Sequence, residues 1–336
     1  MVRIRSLTQS DITEAKYLWE LHFGDSPSFI DWFFQNRFHP ETSVCAEKDG
    51  QIISILHGSP MRLQVRGKAV PAMMISGVAT LKAYRGQGYM HQLMLAMLQI
   101  CKDTEIPLAF NKPVQLNTYA TVGFVPCTNA FDWHTPTDAP SHVRWDALPS
   151  IADLADCYAA VSARYSGCVL RSESEMRCKL EDYATDAARC LCSYTQNCLT
   201  GYLFAVQIND NCWEVPEIIA QTESDYQKLL ARLPRNCSVK LPPDLPLAGE
   251  RYAQNVMAVA DAPLLLQTVC NRKDLAFSIT DKLLPWNCGV FNGAGENTAA
   301  AADYAMTASQ LGQLLLGYHC ADERFALQDC FCVDEY

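Results

Sequence analysis

No stretch of the 336 residues stays apolar for the roughly 18 positions that a membrane-spanning helix needs. The opening Met1-Val2-Arg3-Ile4-Arg5-Ser6 enters strand-like sequence directly, without the apolar stretch of a secretion signal. Basic residues are scarce: 27 Lys and Arg stand against 37 Asp and Glu, a formal net charge of −10. That surface repels phosphate backbones, and no basic run is interleaved with aromatics, so the pattern argues against nucleic-acid binding. The same charge attracts cationic small molecules. No C-x-x-C pair occurs among the 16 cysteines; Cys190/Cys192 and Cys330/Cys332 are each separated by a single residue, which argues against zinc. Their surroundings, such as Val269-Cys270 and Phe331-Cys332, are apolar, the setting of buried free thiols in a reducing cytoplasm. The phosphate-cradling G-x-x-x-x-G-K-[ST] is also missing.

What is present is core material. Hydrophobic residues make up 49% and charged residues 19%, and the length implies two or three domains. A strand over Val2 to Ser6 and a helix from Asp11 to Gly24 open the chain. A meander follows: Ser43–Glu47 and Ile52–His57 flank Asp49-Gly50, then Met61–Val65 and Ala69–Met74 flank Arg66-Gly67-Lys68. Met73 to Leu81 reads as a strand interrupted by Gly77, a mark of a bulge or close backbone approach. After Lys82–Gly88, the residues Met90, Leu93, Met94, Met97, Leu98 and Cys101 fall on one helical face, and a strand starts at Pro107. The rest is less regular. Helices are expected over Ile151–Leu180 and Ser224–Leu233, with strands at Leu199–Ile208 and Cys212–Ala220 between them. A proline cluster (Pro234, Pro242, Pro243, Pro246) marks a boundary. Strands near Asn255–Val259 and Leu275–Thr280, a mobile Gly/Ala/Asn-rich loop over Asn292–Ala302 and a helix over Thr307–Leu316 complete the pattern.

The chemistry concentrates where the meander's last strand enters the glycine loop. A loop at a helix N-terminus is an anion site, because the first-turn amides have no intrahelical partner and the helix dipole is positive there. Gly86 and Gly88 let the backbone approach a phosphate closely. Such a loop alone equally fits an ordinary strand–helix connection. Arg85 beside it, Gly77 upstream and the amphipathic helix downstream raise the anion-site reading. An antiparallel meander ahead of the loop argues against a dinucleotide fold.

Arg85-Gly86-Gln87-Gly88-Tyr89-Met90 resembles the [RQ]-x-x-G-x-[GA] loop of the GNAT acetyltransferases, with Met90 in place of the last small residue. Val78-Ala79-Thr80, Thr118-Tyr119-Ala120-Thr121-Val122-Gly123-Phe124 and Asp281-Lys282-Leu283-Leu284-Pro285-Trp286-Asn287-Cys288-Gly289 resemble the Eis-like (enhanced intracellular survival) branch, as does the Thr307–Gly317 helix. The resemblance covers both ends and runs loosely through Phe131–Glu250. It implies a mixed α/β (α+β) fold. Two tandem GNAT-like folds (1–130 catalytic, 131–249 degenerate and without the phosphate loop) would precede a sterol-carrier-protein-like domain (250–336). The chain end would return to the first active site.

The same resemblance implies an acetyl-CoA-dependent N-acetyltransferase. Val78, Ala79, Thr80, Arg85, Gly86, Gln87, Gly88, Tyr89, Met90 and His91 would bind the cofactor, Tyr119 would be the general acid and the terminal carboxylate of Tyr336 the base. No metal is expected. The strand Val78–Thr80 would pair with pantetheine as an added ligand strand, or serve simply as core. Tyr119 by itself also fits a half-buried tyrosine at a domain edge. His91 fits a phosphate neighbour or a solvated side chain better than a base, and chain termini such as Tyr336 commonly fray. Asp334 and Glu335 would attract a cationic substrate or be solvated acids. The acceptor is expected to be a cationic small-molecule amine, polyamine-, aminoglycoside- or lysine-like, acetylated directly in a ternary complex. A homo-oligomer, a hexamer by the resemblance, without nucleic-acid or membrane partners, is expected in the cytoplasm. Alternatives are a transferase of longer acyl-CoA chains and a non-catalytic CoA or lipid binder.

Overall fold

The computed structural model describes residues 1–140, 142–210, 212–246 and 250–334. Strand β1 (Val2–Ser6) and helices α1 (Ile12–His22) and α2 (Pro27–Asn36) precede the meander of β2 (Ser43–Lys48), β3 (Gln51–Val65) and β4 (Lys68–Thr80). Both hairpin turns form at the dipeptides that favour them: Asp49 and Gly50, and Arg66 and Gly67, all take positive φ. Helix α3 (Tyr89–Asp103) then returns the chain to β5 (Leu108–Asn111), parallel to β4, and a 3₁₀ segment (Leu116–Val122) leads into β6 (Val125–Pro126). α3 buries Leu93, Met94, Met97, Leu98 and Cys101, the face that its 3.6-residue period predicts.

A second copy of this plan follows. After β7 (Asn129–His134), α4 (Ile151–Ser162) and α5 (Glu173–Thr185) come a meander of β8 (Arg189–Thr195), β9 (Cys198–Asn209) and β10 (Cys212–Ala220), helix α6 (Glu223–Leu230) and β11 (Cys237–Leu241) parallel to β10. The meander–helix–parallel-strand order is that of β2–β3–β4–α3–β5. The remaining elements are β12 (Arg251–Ala253), β13 (Val256–Val259), α7 (Ala262–Leu265), β14 (Arg272–Thr280), β15 (Gly289–Gly293), β16 (Tyr304–Thr307) and α8 (Ala308–Leu316).

The sheets do not follow the sequence segments. β13 lies between β5 and β6 in the first sheet, whose order is β1-β2-β3-β4-β5-β13-β6, while β12 edges the second, β12-β7-β11-β10-β9-β8. One core joins β3, β4 and β5 (Leu63, Val70, Phe110) to α8 (Leu311, Leu314, Leu315), so the C-terminal unit packs directly on the first sheet. The Asn292–Ala302 stretch, expected as a mobile loop, is tied down. Asn292 N–H donates to the Glu296 carbonyl at 2.8 Å, and Thr298 N–H donates to that of Val290 at 3.0 Å. All 16 cysteines are free thiols. Among the described residues no helix is long and apolar enough to cross a membrane.

Candidate active site

β4 and β5 pair only over Ala72–Met74 with Leu108–Phe110, after which β4 continues from Ile75 to Thr80 without a β5 partner. The strands therefore diverge. Where they part, the β3–β4 register shifts between Ser76 and Ala79, a bulge that contains Gly77 at φ +56°. A Cβ at Gly77 would sit 2.8 Å from the His57 ring and collide with Trp19, so only glycine fits the bend. Val78 and Thr80 are half-buried and Ala79 is buried on this free edge. Thr80 Oγ1 lies 2.7 Å from Ser54 Oγ.

The loop beyond β4 has the form an anion site needs. Gly86 and Gly88 take φ of +75° and +81°, and a Cβ on either would meet no heavy atom within 4 Å. Gly88 is the N-cap of α3, and no side chain caps the helix. The first-turn amides of Tyr89, Met90 and His91 thus have no capping side chain, at the positive end of the helix dipole and next to the open glycine loop. Arg85 is exposed, its Nε donating to the Thr80 carbonyl at 3.1 Å; Gln87 Nε2 donates to the Ala83 carbonyl at 3.3 Å and Tyr89 Oη to Gln87 Oε1 at 3.4 Å. Tyr89, Met90 and His91 are half-buried in the first turn.

The second copy shows the contrast. β10 also outruns its parallel partner, pairing with β11 only over Trp213–Val215. Here, however, only Gln221-Thr222 links strand to helix. The Thr222 hydroxyl accepts from Asp225 N–H at 3.2 Å, and the buried Asp225 carboxylate takes the Thr222 hydroxyl at 2.6 Å. A helix start capped by its own acid leaves nothing for an anion, which is the physical content of the missing glycine loop.

Tyr119 stands on the 3₁₀ segment after β5, its ring 5.9 Å from that of Phe124. Burial raises its pKa above the ordinary phenol value, so it stays protonated at neutral pH. On the diverging limb, Lys112, Pro113 and Val114 line a cavity of about 460 Å³ together with Asp25 and Phe29, with Asp182 and Asp186, and with Val333 of the C-terminal tail. Burial, together with the charges of Asp182 and Asp25, raises the Asp186 pKa. Lys179 lines the same cavity and pairs with Asp182 at 2.8 Å, so with Glu214 the lining holds four acids against two lysines. Tyr336 and Glu335 lie outside the described residues. Asp334, expected as a solvated acid or substrate lure, is instead buried and paired with Arg171 at 2.9 Å. Four aromatic rings (Trp19, Phe33, Phe34, Phe38) surround His57 at 5.3–5.7 Å beneath the bulge.

The sequence reading missed α2, which supplies two of those four rings, Phe33 and Phe34. Its signal was there in Ser26-Pro27, an N-cap whose hydroxyl accepts from Phe29 N–H at 3.1 Å followed by proline at the first helical position. It also missed Asp25, Asp186 and Arg171, which come to the cavity and the buried ion pair from separate parts of the chain.

Comparison with known proteins agrees with this geometry. Residues 3–127 match an acetyltransferase (GNAT) domain and residues 259–329 a sterol carrier protein domain. None of the curated proteins matches the sequence. Among solved structures, a GCN5-related N-acetyltransferase from Anabaena variabilis is similar over 100% of both chains, with 16% identity and a TM-score of 0.79. Eis1 from Mycobacterium abscessus is similar over 100% of both chains, at 16% identity and a TM-score of 0.75. N-myristoyltransferase from Saccharomyces cerevisiae, solved with myristoyl-CoA, is similar over 76% of this chain and 82% of that one, at 9% identity and a TM-score of 0.54. The chain thus carries an acetyltransferase (GNAT) domain at residues 3–127, a second GNAT-like region after it and a sterol carrier protein domain at residues 259–329.

Proposed function

We propose that this chain transfers an acetyl group from acetyl-CoA to a primary amine of a cationic small molecule. The observation that carries the reading is the uncapped, glycine-started α3 beside the free edge of β4, with a cavity at the diverging limb of β5 whose acids outnumber its lysines. The residues fit the cofactor. The amides of Tyr89, Met90 and His91 and the Arg85 guanidinium would hold the pyrophosphate, and the backbone of Val78–Thr80 would pair with the pantetheine arm as an added strand. The fold's likeness to a myristoyl-CoA-bound enzyme supports an acyl-CoA as donor.

An alkylammonium must lose a proton before its nitrogen can attack a thioester, since its pKa is about 10. The attack forms the C–N bond and breaks the C–S bond, and the departing sulfur takes a proton. Tyr119 is suited to give it, because burial keeps the phenol protonated. The base role is proposed for the terminal carboxylate of Tyr336, supported by the course of the tail, which brings Val333 to the cavity wall. No acyl-enzyme is needed, so transfer is direct. Free cysteines throughout support a reducing compartment, the cytoplasm. The oligomer, a hexamer by the resemblance, belongs to the same proposal.

The test is CoA release with acetyl-CoA against a panel of polyamines, aminoglycosides, lysine-like amines and neutral or acidic amines. Turnover should favour the polycations, and the advantage should shrink as salt rises, because screening shortens the reach of the acidic wall. A preference for anionic amines would overturn the acceptor class. Release only with longer acyl-CoA would overturn the donor.

A further inference from the structure

The C-terminal tail is pinned by backbone hydrogen bonds to two other segments before it reaches the cavity. Ser166 N–H donates to the Asp329 carbonyl at 2.9 Å, Phe331 N–H to that of Ser166 at 3.0 Å, and Asn129 N–H to that of Cys330 at 2.9 Å. The tail thus runs between the segment ahead of α5 and the start of β7. The residues that follow plug into the second GNAT-like region. Val333 joins its core, and the Asp334 carboxylate accepts from Arg171 Nη2 at 2.9 Å and faces the Tyr158 hydroxyl at 3.4 Å.

Arg171 is held from the other side by Glu217, bidentate at 2.9 and 2.7 Å, and its guanidinium lies over the Tyr158 ring at 4.2 Å. Glu217 also accepts from Tyr183 at 3.0 Å and Tyr202 at 2.8 Å. Side-chain exposure is 2% for Arg171, 0% for Glu217 and 3% for Asp334. Burial opposes ionisation of Glu217, but the charge and hydrogen bonds of Arg171 outweigh it and hold the carboxyl below its usual range. Glu217 stands immediately past a register shift in β10 and two residues beyond its last residue paired with β11, as Ser76, next to Gly77, stands two residues beyond the last residue of β4 paired with β5. In the first copy that divergence is open; in the second it holds a buried carboxylate, an arginine and the tail's own aspartate.

We infer that the degenerate second copy has become the anchor of the C-terminal tail: Glu217 fixes Arg171, Arg171 fixes Asp334, and Asp334 sets how the tail stands at the acceptor cavity, which Val333 lines. The inference rests on the proposed function for its catalytic consequence, not for the anchor itself. Asp334 is a positioning residue and touches no substrate. A buried ion pair is costly to assemble but fixes one geometry, because an unpaired charge there is costlier still.

The test is Asp334→Asn, which leaves Arg171 its bidentate Glu217 partner and so spares the fold. Acetyl-CoA affinity by calorimetry should stay within twofold of wild type. Carboxypeptidase should remove the residues after position 334 at least tenfold faster, followed by mass spectrometry, and kcat should fall at least tenfold with little change in the KM for acetyl-CoA. Unchanged carboxypeptidase rates overturn the anchor, whatever happens to turnover. A released tail with full turnover supports the anchor and removes the terminal carboxylate as base. Should the variant not fold, hydrogen exchange on the wild-type enzyme decides. Amides of Phe331 and of its partner Ser166 should exchange as slowly as those of β9, and exchange at free-chain rates overturns the inference.

Discussion

Single side chains set the chemistry, and two of them give sharp tests. Tyr119→Phe removes only a hydroxyl and keeps the ring contact with Phe124. If Tyr119 protonates the leaving sulfur, turnover falls by roughly 10²–10⁴-fold, the range for positioned acid–base catalysis, while acetyl-CoA affinity by calorimetry is unchanged. His57 is fully enclosed by aromatic rings, and burial pushes its pKa down to about 3. The folded protein therefore keeps it neutral, whereas the unfolded chain takes up a proton below about 6.5. Its contribution to stability is complete above that value and is lost as pH falls from about 6.5 toward 3, by up to about 1.4 kcal/mol per pH unit. Melting temperatures of His57→Phe should accordingly depend less on pH across that window than those of wild type. Tyr119 was legible from the sequence because a local motif surrounds it. His57 was not, since nothing in Leu56-His57-Gly58 announces the Trp19, Phe33, Phe34 and Phe38 that enclose it.

At the scale of elements, legibility followed local signals. The Asp49-Gly50 and Arg66-Gly67 turns, the apolar face of α3 and the break at Gly77 all appear where turn chemistry and periodicity place them. α2 escaped because Phe29, Trp32, Phe33 and Phe34 crowd its short sequence with apolar residues and blur the period. The four-residue β13 was legible as a strand, but its place between β5 and β6 was not, because pairing partners more than a hundred residues apart leave no local trace. The bulge offers its own test. Gly77→Ala adds a Cβ at a positive φ and 2.8 Å from the His57 ring, against a packed Trp19. Thermal or urea unfolding should show a loss of about 1–3 kcal/mol, the usual cost of overpacking.

For the whole molecule, the second and third parts are fastened to the first. β13 comes from beyond residue 250 yet completes the first sheet, and α8 covers one face of that sheet through Leu311, Leu314 and Leu315. A fragment of residues 1–130 would leave β5 and β6 without the strand between them and expose Leu63, Val70 and Phe110. Such a fragment should aggregate or give the circular dichroism of an unfolded chain; a cooperatively folding monomer would contradict this architecture. The central claim is that the open loop at the start of α3 holds the donor's pyrophosphate, and calorimetric titration of acetyl-CoA into wild type and Gly88→Asp tests it most directly. The substitution places a negative charge where no protein atom lies within 4 Å of a Cβ; the positive φ at Gly88 adds local strain of about 1–2 kcal/mol, and the fold should persist by circular dichroism. Wild type should bind and Gly88→Asp should lose at least tenfold in affinity; equal binding by both would contradict the account.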